Sequence, residues 1–323
     1  MDKLSIRDDP HTEYAMLKSC FALPKFSYIM RTVDPRPYRG TMEKFDKAVR
    51  QSMERVVGAS MMDQQWQQAT LPVTLGGLGL RCVVPHAPGA YVTSLGSSSE
   101  IMEEVLGQSR KEVKVEGLVA LIKTMSGQEF TEESALASTQ KVISQTIDLH
   151  TAKLLHDEMV GERDKARFNS VGMEHAGDWL NTVPVRALGL HLKPKEFTVA
   201  VKYRLGMRVY SAAGPCIACG RDSDEYGNHS RGCSHESERI YRHNVIRDAI
   251  HKTAKQASLA PAKEQSALLP GSQAKPADVY IPGWANGRDA ALDVSVVSPL
   301  QRELRARAIQ RLGVLQQEGT GRK

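Results

Sequence analysis

The chain has 323 residues, of which 41% are hydrophobic and 25% are charged, and its formal net charge at pH 7 is +6. This composition is typical of a folded globular protein and excludes the collagen-like and coiled-coil classes. No run approaches the roughly 20 apolar residues that a transmembrane helix needs, so we expect a soluble, intracellular protein.

The positive charge is concentrated in the C-terminal part of the chain. Residues 195–323 carry 20 Lys and Arg against 13 Asp and Glu. Because a basic surface attracts polyanions, nucleic acid is the first partner to consider and an anionic membrane surface the second. Simple solubility is the alternative explanation for this excess of charge.

The N-terminal third is predicted to be helical, with one packed loop. Apolar residues at helical spacing predict one helix over residues 12–23 and a second over residues 41–56. The glycine-rich run at residues 76–79 must turn sharply, because only glycine adopts a positive φ at low cost. The segment around it, residues 66–90, is therefore expected to be a packed loop.

The middle region is predicted to be a helical linker. A serine-rich break at residues 97–99 opens it, and the residues that follow are rich in Glu, Lys, Ala and Leu. Hydrophobic periodicity predicts helices over residues 132–159 and 162–171. The acidic balance of this region argues against a direct role in binding phosphate.

Two further helices are predicted in the basic C-terminal part. The segment ESERIYRHNVIRDAIHKTAKQ, residues 236–256, has the pattern of an amphipathic helix with a basic outer face. A solvated helix surface is the alternative reason for that basic face. The segment SPLQRELRARAIQRLGVL, residues 298–315, predicts a last basic helix with a capping box. The side chains of the first helix that are predicted to point inward are Ile240, Ile246, Ala249 and Ile250.

A cluster of cysteines predicts a metal site. Cys216, Cys219, His229 and Cys233 form the pattern C-x2-C-x9-H-x3-C. Four such ligands would fill a tetrahedral zinc ion and leave no position for a reacting water, so the site would be structural. His235 could substitute for His229 or Cys233, and buried or accidental cysteines are the alternative. We expect this segment to be disordered without its metal.

A β-hairpin is predicted near the C-terminus. Two β-rich runs, residues 277–281 and 290–297, flank a turn rich in Gly and Asn. Alternation places the apolar side chains of each strand on one face. These side chains are Val279 and Ile281 in the first strand and Leu292, Val294 and Val296 in the second.

The same hairpin carries two aspartates on the opposite faces of its strands. The register symmetric about the turn pairs Asp278 with Asp293, about 5 Å apart. Opposed like charges destabilise a sheet unless a cation bridges them, and paired carboxylates suit Mg²⁺, which can activate water against a phosphodiester. Solvated strand-edge residues near a turn are the alternative.

Several stretches together carry a family resemblance. They are SCFALPKFSYIMRTV (19–33), WQQATLPVTLGGLGLR (66–81), the cysteine cluster followed by Arg242-His243, KPADVYIPGW (275–284) and DVSVVSPL (293–300). In this combination they resemble the C-terminal half of reverse transcriptase polyproteins of non-LTR-type retrotransposons. The resemblance is weakest over residues 100–190.

The resemblance implies a fold class and an order of domains. The fold would be mixed, with mostly α-helical N-terminal and middle regions, a zinc knuckle and a small α/β unit of the PD-(D/E)xK type. The ranges would be a reverse-transcriptase thumb-like region at 1–95, a helical linker at 96–195, a CCHC zinc knuckle at 196–237 and a truncated restriction-like endonuclease unit at 238–323.

The resemblance also implies roles for single residues. Asp278 and Asp293 match the two metal-binding acids, Glu264 the acid supplied by the preceding helix, and Lys275 the charge that stabilises the phosphate. The basic residues of the 236–256 helix would position nucleic acid through its phosphates. The nucleic-acid-binding candidates there are Arg239, Arg242, His243, Arg247 and Lys252.

This sequence departs from the family pattern at several positions. Ala277 makes the first motif PAD rather than PD, Ser295 stands in the place of the motif lysine, and Asn244 replaces an aspartate. The paired aspartates of a polymerase are absent from any strand context, so the chain is not a polymerase on its own.

The sequence therefore predicts a nucleic-acid-binding fragment of a retroelement protein that nicks DNA. It would use structural Zn²⁺ and catalytic Mg²⁺, bind DNA or RNA rather than membranes, act with other parts of a larger polyprotein, and work in the nucleus. The alternative is a zinc-stabilised, non-catalytic nucleic-acid-binding module or a decayed relic of a retroelement.

Overall fold

The computed structural model describes residues 8–106, 114–233, 235–266, 268, 269, 271–296, 298, 300 and 309. The chain is mostly helical with a small antiparallel sheet near its C-terminus, which confirms the predicted mixed, mostly helical class. The described residues up to Val209 belong to one compact unit, and Tyr210–Leu304 form a second. None of the helices in the described part of the chain combines the length and apolar character needed to cross a bilayer.

The first unit is built from helices. The helix predicted over residues 12–23 is observed as α1 with a π-helical continuation, Leu17–Phe21, and the helix predicted over residues 41–56 is α3. The helices span Pro10–Met16 (α1), Leu23–Thr32 (α2), Arg39–Val57 (α3), Asp63–Thr70 (α4), Val83–Leu106 (α5), Glu116–Ser126 (α6), Glu132–Ala137 (α7), Gln140–Glu158 (α8), Glu162–Val171 (α9) and Pro194–Arg204 (α10).

One apolar core joins the beginning and the end of the first unit. Side chains from α1, α3, α4 and α10 share it, among them Tyr14, Met53 and Phe197, each of them fully buried. A second cluster lies where α5, α6 and α8 meet and includes Ile122 and Ile147. Residues from the predicted thumb-like range and from the segment before the cysteine cluster thus pack together.

The helices predicted in the middle region are confirmed, but the break before them is wrong. The predicted 132–159 helix is observed as α7 and α8, and the 162–171 helix as α9. Helix α5 runs through the serine-rich stretch at residues 97–99. The serine hydroxyls there donate to carbonyl oxygens three or four residues earlier, so the helix accommodates them. The predicted domain ranges stay predictions, and the boundary after residue 95 falls inside α5.

The loop after α4 is packed, as the sequence predicted, but it is shorter than the predicted range of residues 66–90. Residues 66–70 lie in α4 and residues 83–90 lie in α5. Leu78 and Leu80 are fully buried in the core that α1 and α10 share. Gly76 has a φ of +85°, a conformation that favours glycine. A Cβ atom on Gly77 would lie 2.0 Å from the carbonyl oxygen of Leu71. At Gly77 the backbone therefore lies too close to Leu71 for any residue with a side chain.

Buried side chains bind the carbonyl oxygens of this loop. Arg204, only 2% exposed, donates to Val73 O (2.7 Å), Gly77 O (3.0 Å) and Ala176 O (3.2 Å). The hydroxyl of Tyr14 donates to Leu78 O at 2.6 Å. Burial lowers the pKa of Arg204 to about 10, so the guanidinium is still charged at neutral pH. It satisfies backbone acceptors that burial would otherwise leave unpaired.

Asp9 connects the start of α1 to the segment before α10. Its carboxylate accepts hydrogen bonds from the backbone N–H of Thr12 (3.2 Å), from Nε2 of His191 (2.9 Å) and from Nη2 of Arg186 (3.1 Å). Desolvation by burial would raise the pKa of Asp9, but the hydrogen bonds from His191, Thr12 and Arg186 outweigh it and lower the pKa to about 2. The folded state therefore favours the ionised carboxylate.

The described residues of the second unit form two small sheets and two helices. Its elements are β1 (Gly214–Pro215), β2 (Asp222–Ser223), α11 (Asn228–Gly232), α12 (Glu236–Gln256), β3 (Ala262–Lys263), β4 (Val279–Ala285) and β5 (Arg288–Leu292). Strands β1 and β2 form one antiparallel pair, and the other sheet has the order β3-β4-β5, also antiparallel. The helix predicted over residues 236–256 is confirmed as α12.

The predicted hairpin is confirmed as β4 and β5, but the second strand ends at Leu292 and does not reach residue 297 as predicted. Only the first strand has the predicted apolar face. Val279 and Ile281 are buried and pack with Ala254 of α12. Leu292 and Val296 are exposed, so the prediction for the second strand is wrong there. Since β5 is an edge strand and α12 contacts β4, the cover of the helix does not extend over these side chains.

The predicted inward face of α12 is also largely wrong. Ile250 packs on the sheet with Ala254, but Ile240 is 46% exposed, and Ile246 and Ala249 are exposed as well. The C-terminal half of the helix makes the apolar contacts, whereas its N-terminal half makes polar ones. The last predicted helix, residues 298–315, falls largely outside the described residues.

Replacing Gly77 by alanine should destabilise the first unit. We expect Gly77→Ala to lower the free energy of unfolding by about 3 kcal/mol or more, because the new Cβ overlaps backbone that cannot easily move. Gly40→Ala is the matched control: its Cβ would meet no heavy atom within 4 Å, and it should stabilise α3 by about 0.5–1 kcal/mol. Urea unfolding followed by circular dichroism measures both, and equal stabilities would contradict the packing of the loop.

The stability contributed by Asp9 should depend on pH in the acid range. Because folding lowers the pKa of Asp9 from 3.8 to about 2, its contribution is complete above pH 4 and is lost as the pH falls towards 2. Asp9→Asn should remove about 2 kcal/mol at pH 6 and flatten the acid limb of stability against pH. Asp8→Asn, an exposed neighbour, is the control, and an unchanged acid limb in Asp9→Asn would show that Asp9 carries no such linkage.

Candidate functional site

The structure brings all four predicted metal ligands together. One donor atom from each of Cys216, Cys219, His229 and Cys233 lies within 4.8 Å of the others. The Sγ atoms of Cys216 and Cys233 are 4.0 Å apart, and Sγ of Cys219 is 3.2 Å from Nε2 of His229. A tetrahedral site with Zn–S bonds of about 2.3 Å has edges of roughly 3.5 to 4 Å. These side chains can hold one metal ion, and their soft donors are compatible with zinc.

The β1-β2 pair presents the first two ligands. The N–H of Cys216 donates to Arg221 O and the N–H of Gly220 to Cys216 O, both at 2.8 Å, which closes a tight turn. Gly220 takes a φ of +70° in this turn. The backbone N–H groups of Cys219 and Ala218 bond to the sulfur of Cys216 and lower its pKa to about 6. This thiol therefore ionises readily to the thiolate that binds metals.

Helix α11 presents the second two ligands. Asp224, which was not among the predicted site residues, accepts hydrogen bonds from the backbone N–H of Tyr226 (2.9 Å), Asn228 (3.2 Å) and His229 (2.9 Å). Its carboxylate fixes the first turn of α11 and with it the position of His229. An aspartate three residues before a glycine, ahead of a short helix, is the turn signal that could have identified it. Cys233 follows the helix and is buried.

Two residues near the cluster have roles other than those considered from the sequence. His235 lies outside the group of four: it is exposed, and its Nδ1 is 2.8 Å from Oγ of Ser237. Arg242, a predicted phosphate contact, donates to Cys233 O (2.8 Å) and Ser230 O (3.4 Å). The guanidinium thereby attaches α12 to the backbone of the last metal ligand.

The two aspartates lie where the β4-β5 ladder ends. The observed register pairs Val279 with Leu292, which is the predicted one, and Asp278 and Asp293 are the next residues along the two strands. The structure therefore brings the two predicted acids together.

Asp278 is held by two donors. Its Oδ2 accepts from the backbone N–H of Val294 at 2.6 Å and lies 3.0 Å from Nε2 of His243 on α12. Desolvation alone would raise the pKa of Asp278, but the contacts with Val294 and His243 outweigh it and lower the pKa below its usual value. Hydrogen bonds to Asn244 and Asp278 in turn raise the pKa of His243. Asp278 is therefore ionised at neutral pH.

Glu264 and Lys275 lie close to Asp278, at the same end of the β3-β4-β5 sheet. Glu264 follows β3, not the preceding helix as the sequence analysis expected, and its N–H donates to Asp278 O at 3.1 Å. Its Oε2 lies 3.3 Å from Nζ of Lys275, and its Oε1 accepts from Arg247. The structure thus places this acid beside Asp278, but two cations bind its carboxylate.

The predicted nucleic-acid-binding residues divide into two groups. Arg239 and Lys252 present exposed side chains on α12. The other three make contacts inside the second unit: they are Arg242, His243 and Arg247.

In the part of the chain that the structure describes, only the Cys and His cluster joins three or more groups closely enough to hold a metal ion. The pair of aspartates offers two carboxylates.

The cluster of Cys and His should bind one zinc ion per chain, and its loss should disorder the segment around it. We expect Cys233→Ser to reduce the zinc content well below that of the wild type and to lower the melting temperature. Cys20→Ser, which removes an exposed cysteine outside the cluster, should leave both unchanged. Elemental analysis and thermal unfolding measure these effects, and full zinc content in Cys233→Ser would contradict the ligand assignment.

Neither a known protein-family model nor a curated protein matches this sequence. The resemblance to retroelement proteins therefore stays a prediction, carried by the motifs quoted above.

Proposed function

We propose that the second unit is a zinc-stabilised nuclease unit of a retroelement protein, which binds nucleic acid and nicks DNA. The observation that supports this proposal is the assembly of Glu264, Lys275, Asp278 and Asp293 at one end of the β3-β4-β5 sheet. These four residues are separated by up to 29 positions in the sequence. The hairpin pattern had indicated the two aspartates, and the motif resemblance had indicated all four.

The aspartate pair has the donor chemistry that Mg²⁺ prefers. Asp278 is ionised, and Asp293 lies on the neighbouring strand, one residue beyond the Val279–Leu292 pair as Asp278 does. Magnesium commonly binds one or two protein carboxylates and completes its shell with waters and substrate phosphate oxygens. When bound, it would supply an activated water and neutralise charge on the phosphodiester. Asp278 and Asp293 would hold it.

Lys275 is the group that would meet the phosphate. Its ammonium lies 3.3 Å from Oε2 of Glu264, and more than half of its side chain is exposed. A lysine is a flexible point charge, so it can leave a surface ion pair when a phosphate approaches. In contact with the scissile group, it would offset the negative charge that develops there.

Exposed cations on α12 would hold the nucleic acid. Arg239 and Lys252 are free of the contacts that bind Arg242 and Arg247 within the unit, as far as the described residues show. Phosphate contacts of this kind position a nucleic acid without reading its sequence. They also make affinity fall steeply with salt concentration.

A specific observation favours the alternative, a binding module without catalysis. Arg247 and Lys275 both bind the Glu264 carboxylate, so it does not stand ready as a third metal ligand. We call Glu264, Asp278 and Asp293 the acidic cluster. With Glu264 occupied, this cluster offers a cation two carboxylates only. In this alternative, zinc would stabilise a basic unit that binds nucleic acid and leaves it intact.

A nicking assay on supercoiled DNA separates the two functions. With Mg²⁺, the wild type should convert supercoiled DNA to the open circle, and Asp278→Asn and Asp293→Asn should each reduce the rate by roughly 100-fold or more. Asp289→Asn is the matched control, because Asp289 lies on the same hairpin, is exposed, and bonds to Tyr280 and Gly283. It should nick DNA at the wild-type rate.

The other outcomes are equally informative. Salt-sensitive binding of DNA without any nicking would support the binding module instead. Nicking that survives both Asp278→Asn and Asp293→Asn would show that the acidic cluster is not the active site.

A further inference from the structure

His243 occupies a defined position between α12 and the acidic cluster. Its Nε2 lies 3.0 Å from Oδ2 of Asp278, and its Nδ1 lies 3.3 Å from Oδ1 of Asn244. The carboxylate of Asp278 is an acceptor, so Nε2 of His243 is the donor in that contact. The imidazole is held at both edges and cannot rotate without losing a hydrogen bond.

The turn of α12 that carries His243 is itself attached. The preceding residue, Arg242, donates to the carbonyl oxygen of Cys233 at 2.8 Å. Consecutive residues of one helix therefore reach in different directions, one to the backbone of the last ligand of the metal cluster and the other to Asp278. The position of His243 depends on where the metal cluster holds the start of α12.

We propose that His243 is a positioning residue for Asp278, which sets the orientation of the carboxylate for the cation it would share with Asp293. His243 and the N–H of Val294 both bind Oδ2, which leaves Oδ1 as the oxygen for a cation. When a side chain that does not itself touch the metal hydrogen-bonds to a metal-binding carboxylate, it fixes the orientation of that carboxylate and strengthens metal binding. The inference rests on the proposed nuclease function of the acidic cluster.

A purely structural role for His243 fits the observations less well. The side chain is 31% exposed and lies outside the apolar cluster of the unit. The packing of Ile250 and Ala254 on the sheet holds α12 independently of His243. Removal of the imidazole should therefore change the reaction more than the stability.

Steady-state nicking kinetics test the inference. His243→Ala should lower kcat by about 10- to 100-fold with little change in KM for DNA, the range found when a second contact to a metal ligand is lost. Added imidazole should restore part of the kcat of His243→Ala. His243→Gln should also retain part of it, because its amide can donate to Oδ2. His251→Gln, a half-buried histidine two turns along α12, is the control and should match the wild type.

The outcomes that overturn the inference are distinct from those that overturn the proposed function. A wild-type kcat in His243→Ala, together with loss of nicking in Asp278→Asn, would refute the role of His243 and leave the function standing. An equal loss of kcat in His243→Ala and His243→Gln, with lowered melting temperatures and no imidazole rescue, would show a structural role only. Absence of nicking by the wild type would refute the proposed function and this inference with it.

Discussion

The convergence of three thiols and one imidazole is the constraint on which the second unit depends. These four donor atoms lie close enough together to hold one metal ion, and a bound metal would join the two halves of the segment from Cys216 to Cys233. Asp224 and the tight turn at Gly220 prepare the two halves of the cluster. Through the carbonyl of Cys233, the cluster also fixes Arg242 and the start of α12. Four protein ligands would leave a bound metal without a position for a reacting water, so the cluster is a structural element that sets where α12 begins.

In the first unit, hydrogen bonds from buried side chains hold an irregular segment in place. Its glycine-rich loop enters the core, where its carbonyl oxygens would lose their hydrogen bonds to water. The buried guanidinium of Arg204 satisfies two of them, and the hydroxyl of Tyr14 satisfies a third. Because Arg204 lies on α10 and Tyr14 on α1, this network joins the two ends of the unit. In both units a small number of polar contacts sets the course of an irregular segment, and apolar packing then supports the helices around it.

Local sequence patterns predicted correctly those contacts whose residues are close in the chain. The four metal ligands lie within 18 residues, so their spacing alone predicts that they can meet. The register of the β4-β5 hairpin follows from its short turn and from alternation with a period of two. Periodicity also located α8, α9 and α12, although it placed Ile240 and Ile246 inward when they are exposed. A helix pattern shows that an apolar face exists, but the length of the sheet beneath determines how much of it is covered.

The sequence by itself determined the mostly helical class, the four residues that can hold a metal ion and the register of the β4-β5 hairpin that has Asp278 and Asp293 at its end, because each depends on short-range spacing. Only the tertiary structure decided the surroundings of that pair. It brought His243 to Asp278 from a helix 35 residues earlier, and it bound Glu264 to Arg247 and Lys275. The physical reason is that such contacts depend on how α12 docks on the sheet. No periodicity within a single segment encodes the distance between two segments that pack against each other.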